Sequence, residues 1–267
     1  MKKTIKPLFV ALLASIFLSS CNNSWEPLFN GEGLDGWDKY IGVPLEGFEE
    51  QALNATADKV FSVIEKDGEK VIRISGEVNG SLATKESFED YHLQLVFKWG
   101  DKVYTRRNSG LLYHSFGEFG TALGTWMPNI ECQLMHEKLG DTYLMNNTNC
   151  ETAAKKTEDG EGYIFSPGSP KVAFGEKANG RPIQKLNDNE NPLGEWNTVD
   201  LYCFGRTAVH LVNGKTVMAN TNCGIYSGGG IEPLSSGKIQ IQSEGGELFV
   251  KSIKIRAIEG LPEKILN

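Results

Sequence analysis

From residue 60 onward the chain alternates apolar and polar positions with a period of two, the spacing of strands that bury one face. Residues 60–65 and 71–75 alternate on either side of Asp67-Gly68, a dipeptide suited to a two-residue hairpin turn. A short strand is expected over 81–84, and 91–99 alternates well enough to be a central strand. Residues 198–204, 208–212 and 215–218 form a meander whose second turn is Asn213-Gly214, and 237–242 and 247–257 close the domain. Residues 151–191 are polar and dotted with glycine and proline, so they read as surface excursions with short strands at 163–165 and 171–174. No helix-period segment of useful length occurs after the first twenty residues. Many short strands separated by turns predict an all-β, two-sheet antiparallel sandwich.

Two strands carry polar residues that break this economy. In Asn129-Ile130-Glu131-Cys132-Gln133, parity puts Glu131 and Gln133 on one face. A carboxylate and a carboxamide cost stability if buried without partners, and a groove that receives a sugar would supply hydroxyl partners. His136 is out of phase by one residue and joins that face only through a bulge after Met135. The equal alternative is an edge strand with solvated polar residues. In the strand around 106–114, parity groups Asn108, Gly110, Leu112 and His114, although Asn108-Ser109-Gly110 also fits a turn with a bulge glycine. Residues 116–128 form a long, Gly-rich loop of the kind that often binds ligands. Its Trp126 offers an apolar ring face to a sugar, or packs as a loop anchor. Residues 141–150 read as one further strand.

The first residues change the picture of where the domain works. Lys2, Lys3 and Lys6 precede an apolar run too short to span a bilayer comfortably, and Leu18-Ser19-Ser20-Cys21 follows it. This is the pattern of a bacterial lipoprotein leader, in which Cys21 is lipidated and the lipid alone tethers the chain to the membrane. Residues 1–20 are therefore expected to be a signal peptide, 21–27 a tether and 28–267 a single domain in the cell envelope, periplasmic or at the outer surface. Loss of three lysines takes the formal charge from −7 to −10. An acidic chain with no basic run argues against a nucleic-acid partner. The remaining Cys132, Cys150, Cys203 and Cys223 form no CxxC pair, which argues against a zinc ribbon and leaves disulfides open.

The ordered fragments Leu28-Phe29-Asn30-Gly31-x-x-Leu34-x-Gly36-Trp37, Asn108-Ser109-Gly110, Glu131-x-Gln133, Gly194-Glu195-Trp196-Asn197, His210-x-x-Asn213-Gly214 and Ile239-x-Ile241-Gln242-Ser243-Glu244-Gly245-Gly246 resemble the DUF1080 family, the 3-keto-disaccharide hydrolase domains. The resemblance implies a concanavalin A-like, laminarinase-like jelly roll with a face for glycans. It also implies a lipoprotein of carbohydrate breakdown, a type common in Bacteroidetes. The chain departs from its relatives where an Asp often follows the Glu-x-Gln pair, which here is His136-Glu137. It departs again where an Arg commonly ends the strand after Asn-Ser-Gly, which here is His114.

Laminarinase-like retaining enzymes carry Glu-x-Asp-x-x-Glu on one strand, giving two carboxylates about 5–5.5 Å apart. The corresponding spacing here is Glu131-x-Gln133-x-x-His136, so ordinary double displacement is not expected. A 3-keto sugar needs less. Its carbonyl acidifies the C2 proton, a base removes that proton, the C1 substituent leaves and water adds back. Glu131 and His136 are the expected catalytic pair, either of them able to act as base or as acid, and Gln133, Asn108 and His114 the hydrogen-bond donors, with Trp126 and Glu244 as further substrate contacts. A divalent metal held by His114, Glu131 and His136 is the alternative way to polarise the ketone; no organic cofactor is expected. A non-catalytic glycan-binding lipoprotein and an ordinary retaining glycosidase are the rival functions.

Overall fold

The computed structural model describes residues 24–265. The leader and Cys21 lie outside the described residues. No helix among those described is long and apolar enough to cross a membrane. Two antiparallel sheets face each other across one large core. The larger has twelve strands, with Tyr91–Val103 at its centre between Asn197–Phe204 and Gly246–Ala257. Leu93, Leu95 and Phe97 of that strand point into the core, as alternation requires. The smaller has eight strands. Its path runs Pro182–Ile183, Thr142–Met145, Asn129–Gln133, Gly110–Ser115, Ser236–Ser243, Gly80–Thr84 and Trp37–Ile41. This is the concanavalin A-like jelly roll, and it brings strands distant in sequence side by side under the site.

The hairpin turns form where the dipeptides predicted them. Asp67 and Gly68 sit at φ +55° and +81°, and Asn213 and Gly214 at +49° and +77°, the two left-handed residues of a type I′ turn. The expected strand over 141–150 is instead two strands in different sheets, Thr142–Met145 and Thr148–Lys156. Asn146 and Asn147, both left-handed at +49° and +63°, turn the chain from one sheet to the other. Asparagine tolerates that conformation, and the unbroken apolar alternation on either side hides the crossing. Residues ahead of Leu28 also pack on the domain. Glu26–Pro27 pairs with Lys254 and Ile255, and Trp25 packs edge-on against His92. Two short helices, Glu49–Asn54 and Ala57–Val60, precede the first long hairpin.

Two buried features tie the sheets together. His210 of the larger sheet donates from Nδ1 to the Gly140 carbonyl at 3.1 Å and accepts from the Tyr113 hydroxyl at 3.0 Å. Beside it, Asn220 donates to Thr142 Oγ1 and accepts from Thr152 Oγ1, each at 2.8 Å. Burial lowers the His210 pKa to about 4, so the ring is neutral in this network. All four described cysteines are buried free thiols. Burial raises the pKa of each, that of Cys223 to about 12.

Candidate active site

Ile130 and Cys132 belong to the core between the sheets, so Glu131 and Gln133 project from the outer face of the smaller sheet. Register then assembles their neighbours. Glu131 lies between Leu112 and Tyr143, and Gly110 lies opposite Gln133. Glu131, Gln133, Asn108 and Glu244, all expected site residues, line one pocket of about 450 Å³. Arg106, Lys138 and Asp141 add charge to its wall, while Leu123, Tyr143, Met145 and Pro182 make an apolar bank.

The floor is crowded with polar atoms that lack protein partners. Glu131 is only 2% exposed, and its Oε1 accepts no hydrogen bond. Both amide atoms of Gln242 and the Oδ1 of Asn108 are likewise buried and unpaired. Such groups carry a desolvation cost unless something docks on them. The Glu131 carboxyl fits because position 110 is glycine: a Cβ there would overlap Glu131 Oε1 and Gln242 Oε1. The Gln133 amide is oriented, since its Oε1 accepts from the Met135 N–H at 3.1 Å. Its NH₂ is thereby left to donate to a ligand.

Three carboxyls share this pocket and all hold their protons unusually well. Burial pushes Glu131 well above the usual carboxylate range, and the charges of Glu244 and Asp141 push it further. Glu244 is raised to about 7 by burial, against the opposing pull of Arg106 and a hydrogen bond from Asn108. Asp141 is raised to about 6, again by burial, opposed by the Lys185 N–H donated at 2.9 Å and by the charges of Lys185 and Lys138. The set therefore pairs Glu131, which burial biases toward its protonated form, with Asp141, which at a pKa of about 6 is largely ionised at neutral pH.

Three expected residues fall elsewhere. His114 is fully buried inside the sandwich, its ring near those of Tyr113 and Tyr91, with both ring nitrogens unpartnered and its pKa lowered to about 4 by burial. The register of its strand against Ser236–Ser243 shifts between Lys238 and Gln240, and His114 takes φ +50° there. That bulge reverses the parity on which its placement depended. Trp126 is a loop anchor and no open stacking face. It is buried against Leu112, Ala122 and Met145, and its indole N–H donates to the Gly80 carbonyl at 2.9 Å. His136 lies beyond the strand end at Gln133, in a turn where its Nδ1 stands 3.1 Å from Glu190. It does not line the pocket. The proposed ligand set of His114, Glu131 and His136 is thus dispersed. Among the described residues no group of three or more His, Cys, Asp or Glu side chains is gathered as for a metal ion.

Sequence reasoning missed Asp141, Arg106, Tyr143 and Gln242. Gln242 had a signal: with Ile239 and Ile241 inward, Gln240, Gln242 and Glu244 alternate outward. Gln240 is consumed structurally, accepting from Ser81 and donating to Ser115 at 2.8 Å each. Gln242 is not.

The comparisons agree with this architecture. The family model described as a 3-keto-alpha-glucoside-1,2-lyase-like domain matches residues 24–256. A crystal structure of a candidate glycosyl hydrolase from Parabacteroides distasonis ATCC 8503 superposes with a TM-score of 0.50 at 20% identity, covering 88% of this chain and 100% of that one. A second from the same organism gives 0.51 at 18% identity, covering 89% and 95%. These identities establish a shared fold. No curated protein matches the sequence.

Proposed function

This chain belongs to the 3-keto-alpha-glucoside-1,2-lyase-like family, and from that premise we propose that it cleaves 3-keto-glycosides by elimination followed by hydration. The observation that carries the reading is the Glu131 carboxyl, buried, with an unpartnered oxygen in a sugar-sized pocket and its pKa pushed up by that burial. Ionised Asp141 takes the C2 proton of the keto sugar, and the electrons form the C3 enolate. The Gln133 NH₂ donates to that enolate oxygen. As the ketone re-forms, C1=C2 closes and the C1–O bond breaks, with Glu131 delivering its proton to the departing oxygen. Water then adds its hydroxyl to C1 and C2 regains a proton. The net change is hydrolysis, with no oxidant consumed. Asn108, Arg106 and Glu244 hold the sugar hydroxyls.

Purified protein is to be assayed on a 3-keto-glucoside and its unoxidised parent, following the enone by ultraviolet absorbance and the sugar by chromatography. Turnover of the keto substrate alone, lost in Glu131→Gln, is expected. Equal turnover by both forms would remove Glu131 from the mechanism. Asp141 and Glu244 beside Glu131 also favour a second reading, an ordinary retaining glycosidase, for which a fluorosugar would label one of the three carboxylates. Binding without turnover of any sugar would leave a glycan-binding lipoprotein. The leader that ends just before Cys21 supports a lipid-anchored place in the cell envelope. Incorporation of a fatty-acid probe that disappears in Cys21→Ser tests it.

A further inference from the structure

The loop over the site makes one turn whose residue is wrong for turning. Thr125 N–H donates to the Ala122 carbonyl at 3.0 Å, and the two residues between them, Leu123 and Gly124, sit at φ +50° and +74°. That is a type I′ turn, which favours Asn or Asp followed by Gly. The chain obeys this preference at Asp67-Gly68 and Asn213-Gly214, and violates it at Leu123-Gly124. A left-handed leucine is strained, and Leu123 gains no burial in return, being 52% exposed. It is held there rigidly: Ala122 pairs with Trp126, whose indole is fixed on Gly80. Leu123 projects onto the pocket, on the same bank as Tyr143, Met145 and Pro182.

The two banks separate along the strands. Gln133 lies between Gly110 and Asp141, whose carbonyl accepts from the Gln133 N–H, with Asn108 and Glu244 just past the strands at this end. Met145 pairs with Asn129 at the other end and packs with Ala122, the neighbour of Leu123. A glycoside laid along the strands over Glu131, with its keto ring toward Asn108, Asp141 and Glu244, therefore projects its leaving group past Tyr143 toward Leu123 and Met145. A second sugar there would set hydroxyls against Leu123, Met145 and Pro182, which cannot bond them, at a desolvation cost, whereas an apolar ring would bury apolar area against these side chains and the Tyr143 ring. We infer that the Leu123 bank is a leaving-group subsite for an apolar aglycone, so that the preferred substrates are 3-keto-glucosides of aryl or arylalkyl alcohols and not 3-keto-disaccharides. This rests on the reaction proposed above.

The test compares the methyl, 2-phenylethyl and glucosyl 3-keto-glucosides, whose leaving groups are all alkoxides, in wild type and Leu123→Asn. Wild type is expected to show kcat/KM for the 2-phenylethyl compound at least about tenfold above the other two, carried by KM. Leu123→Asn should shrink that ratio by roughly tenfold while Tm stays level or rises, because Asn-Gly suits the turn. A purely structural role for Leu123 predicts the reverse, a lower Tm and an unchanged ratio. A disaccharide cleaved as well as the 2-phenylethyl compound, or a ratio unmoved by the substitution, overturns the inference. If wild type cleaves none of the three, the reaction itself is wrong and the subsite is judged by calorimetry. Unoxidised 2-phenylethyl glucoside must then bind more tightly than methyl glucoside and lose that advantage in Leu123→Asn; equal binding overturns it.

Discussion

The carboxyl of Glu131 occupies the space that a side chain at Gly110 would fill. The two residues are not register partners, since Glu131 faces Leu112 and Gly110 faces Gln133. Glu131 instead leans along the sheet over the bare backbone at 110 and toward Gln242. Gly110→Ala is therefore expected to displace the Glu131 carboxyl. Overpacking of this kind costs about 1–3 kcal/mol, and a misplaced acid is expected to lower kcat/KM by roughly a hundredfold. Circular dichroism should show the fold retained. Wild-type kinetics in this variant would mean that the Glu131 position is not critical.

The acid limb of the pH–rate profile is assigned to Asp141. Its pKa of about 6 means that activity should climb as pH rises through that value and the base ionises. Asp141→Asn should abolish the climb along with most of the turnover. Persistence of a limb near pH 6 in this variant would transfer the base role to another group.

Stability should move the opposite way. The Glu244 pKa is raised from 4.5 to about 7 in the folded chain. Its contribution is therefore fully present below the unfolded value and lost as pH rises through about 7. A shift of that size corresponds to a loss on the order of 3 kcal/mol. Glu244→Gln cannot ionise, so its Tm relative to wild type should climb between pH 5 and 8, and the two should converge at lower pH. His114 and His210, depressed to about 4, destabilise toward acid in both proteins and cancel in the difference. A flat difference curve would show that Glu244 is not strained by burial.

Asn220 joins the site strand to the opposite sheet. Asn220→Leu would leave Thr142 and Thr152 without this partner in the core and take one of its two bonds from the Tyr113 hydroxyl. A loss of roughly 2–4 kcal/mol in urea unfolding is expected. A variant as stable as wild type would mean that the network is energetically idle.

Parity was enough to put Glu131 and Gln133 on one face, because their strand is regular and its other face is plainly apolar. The same rule failed at His114, where one extra residue in the ladder turns the ring inward and nothing in the neighbouring residues announces it. Asp141 and Tyr143 come to the site through pairing with Asn129–Gln133, and Gln242 through pairing with Gly110–Ser115. Which strands become neighbours is a property of the jelly-roll path, and local pattern does not encode it. Trp126 was legible as an anchor or a platform, and the indole bond to Gly80 decides between them. The break at Asn146-Asn147 was hidden because both halves present apolar faces to the same core.

The four inward-facing thiols carry a consequence for biogenesis. Each is protonated and shielded once the sandwich has closed, so the mature domain should ignore oxidants, and its stability should be the same with or without a reductant. The unfolded chain has no such shelter. If it matures outside the cytoplasm, as the Cys21 leader suggests, sheet closure must outrun mispairing, and oxidative refolding should trap scrambled species that reductive refolding avoids.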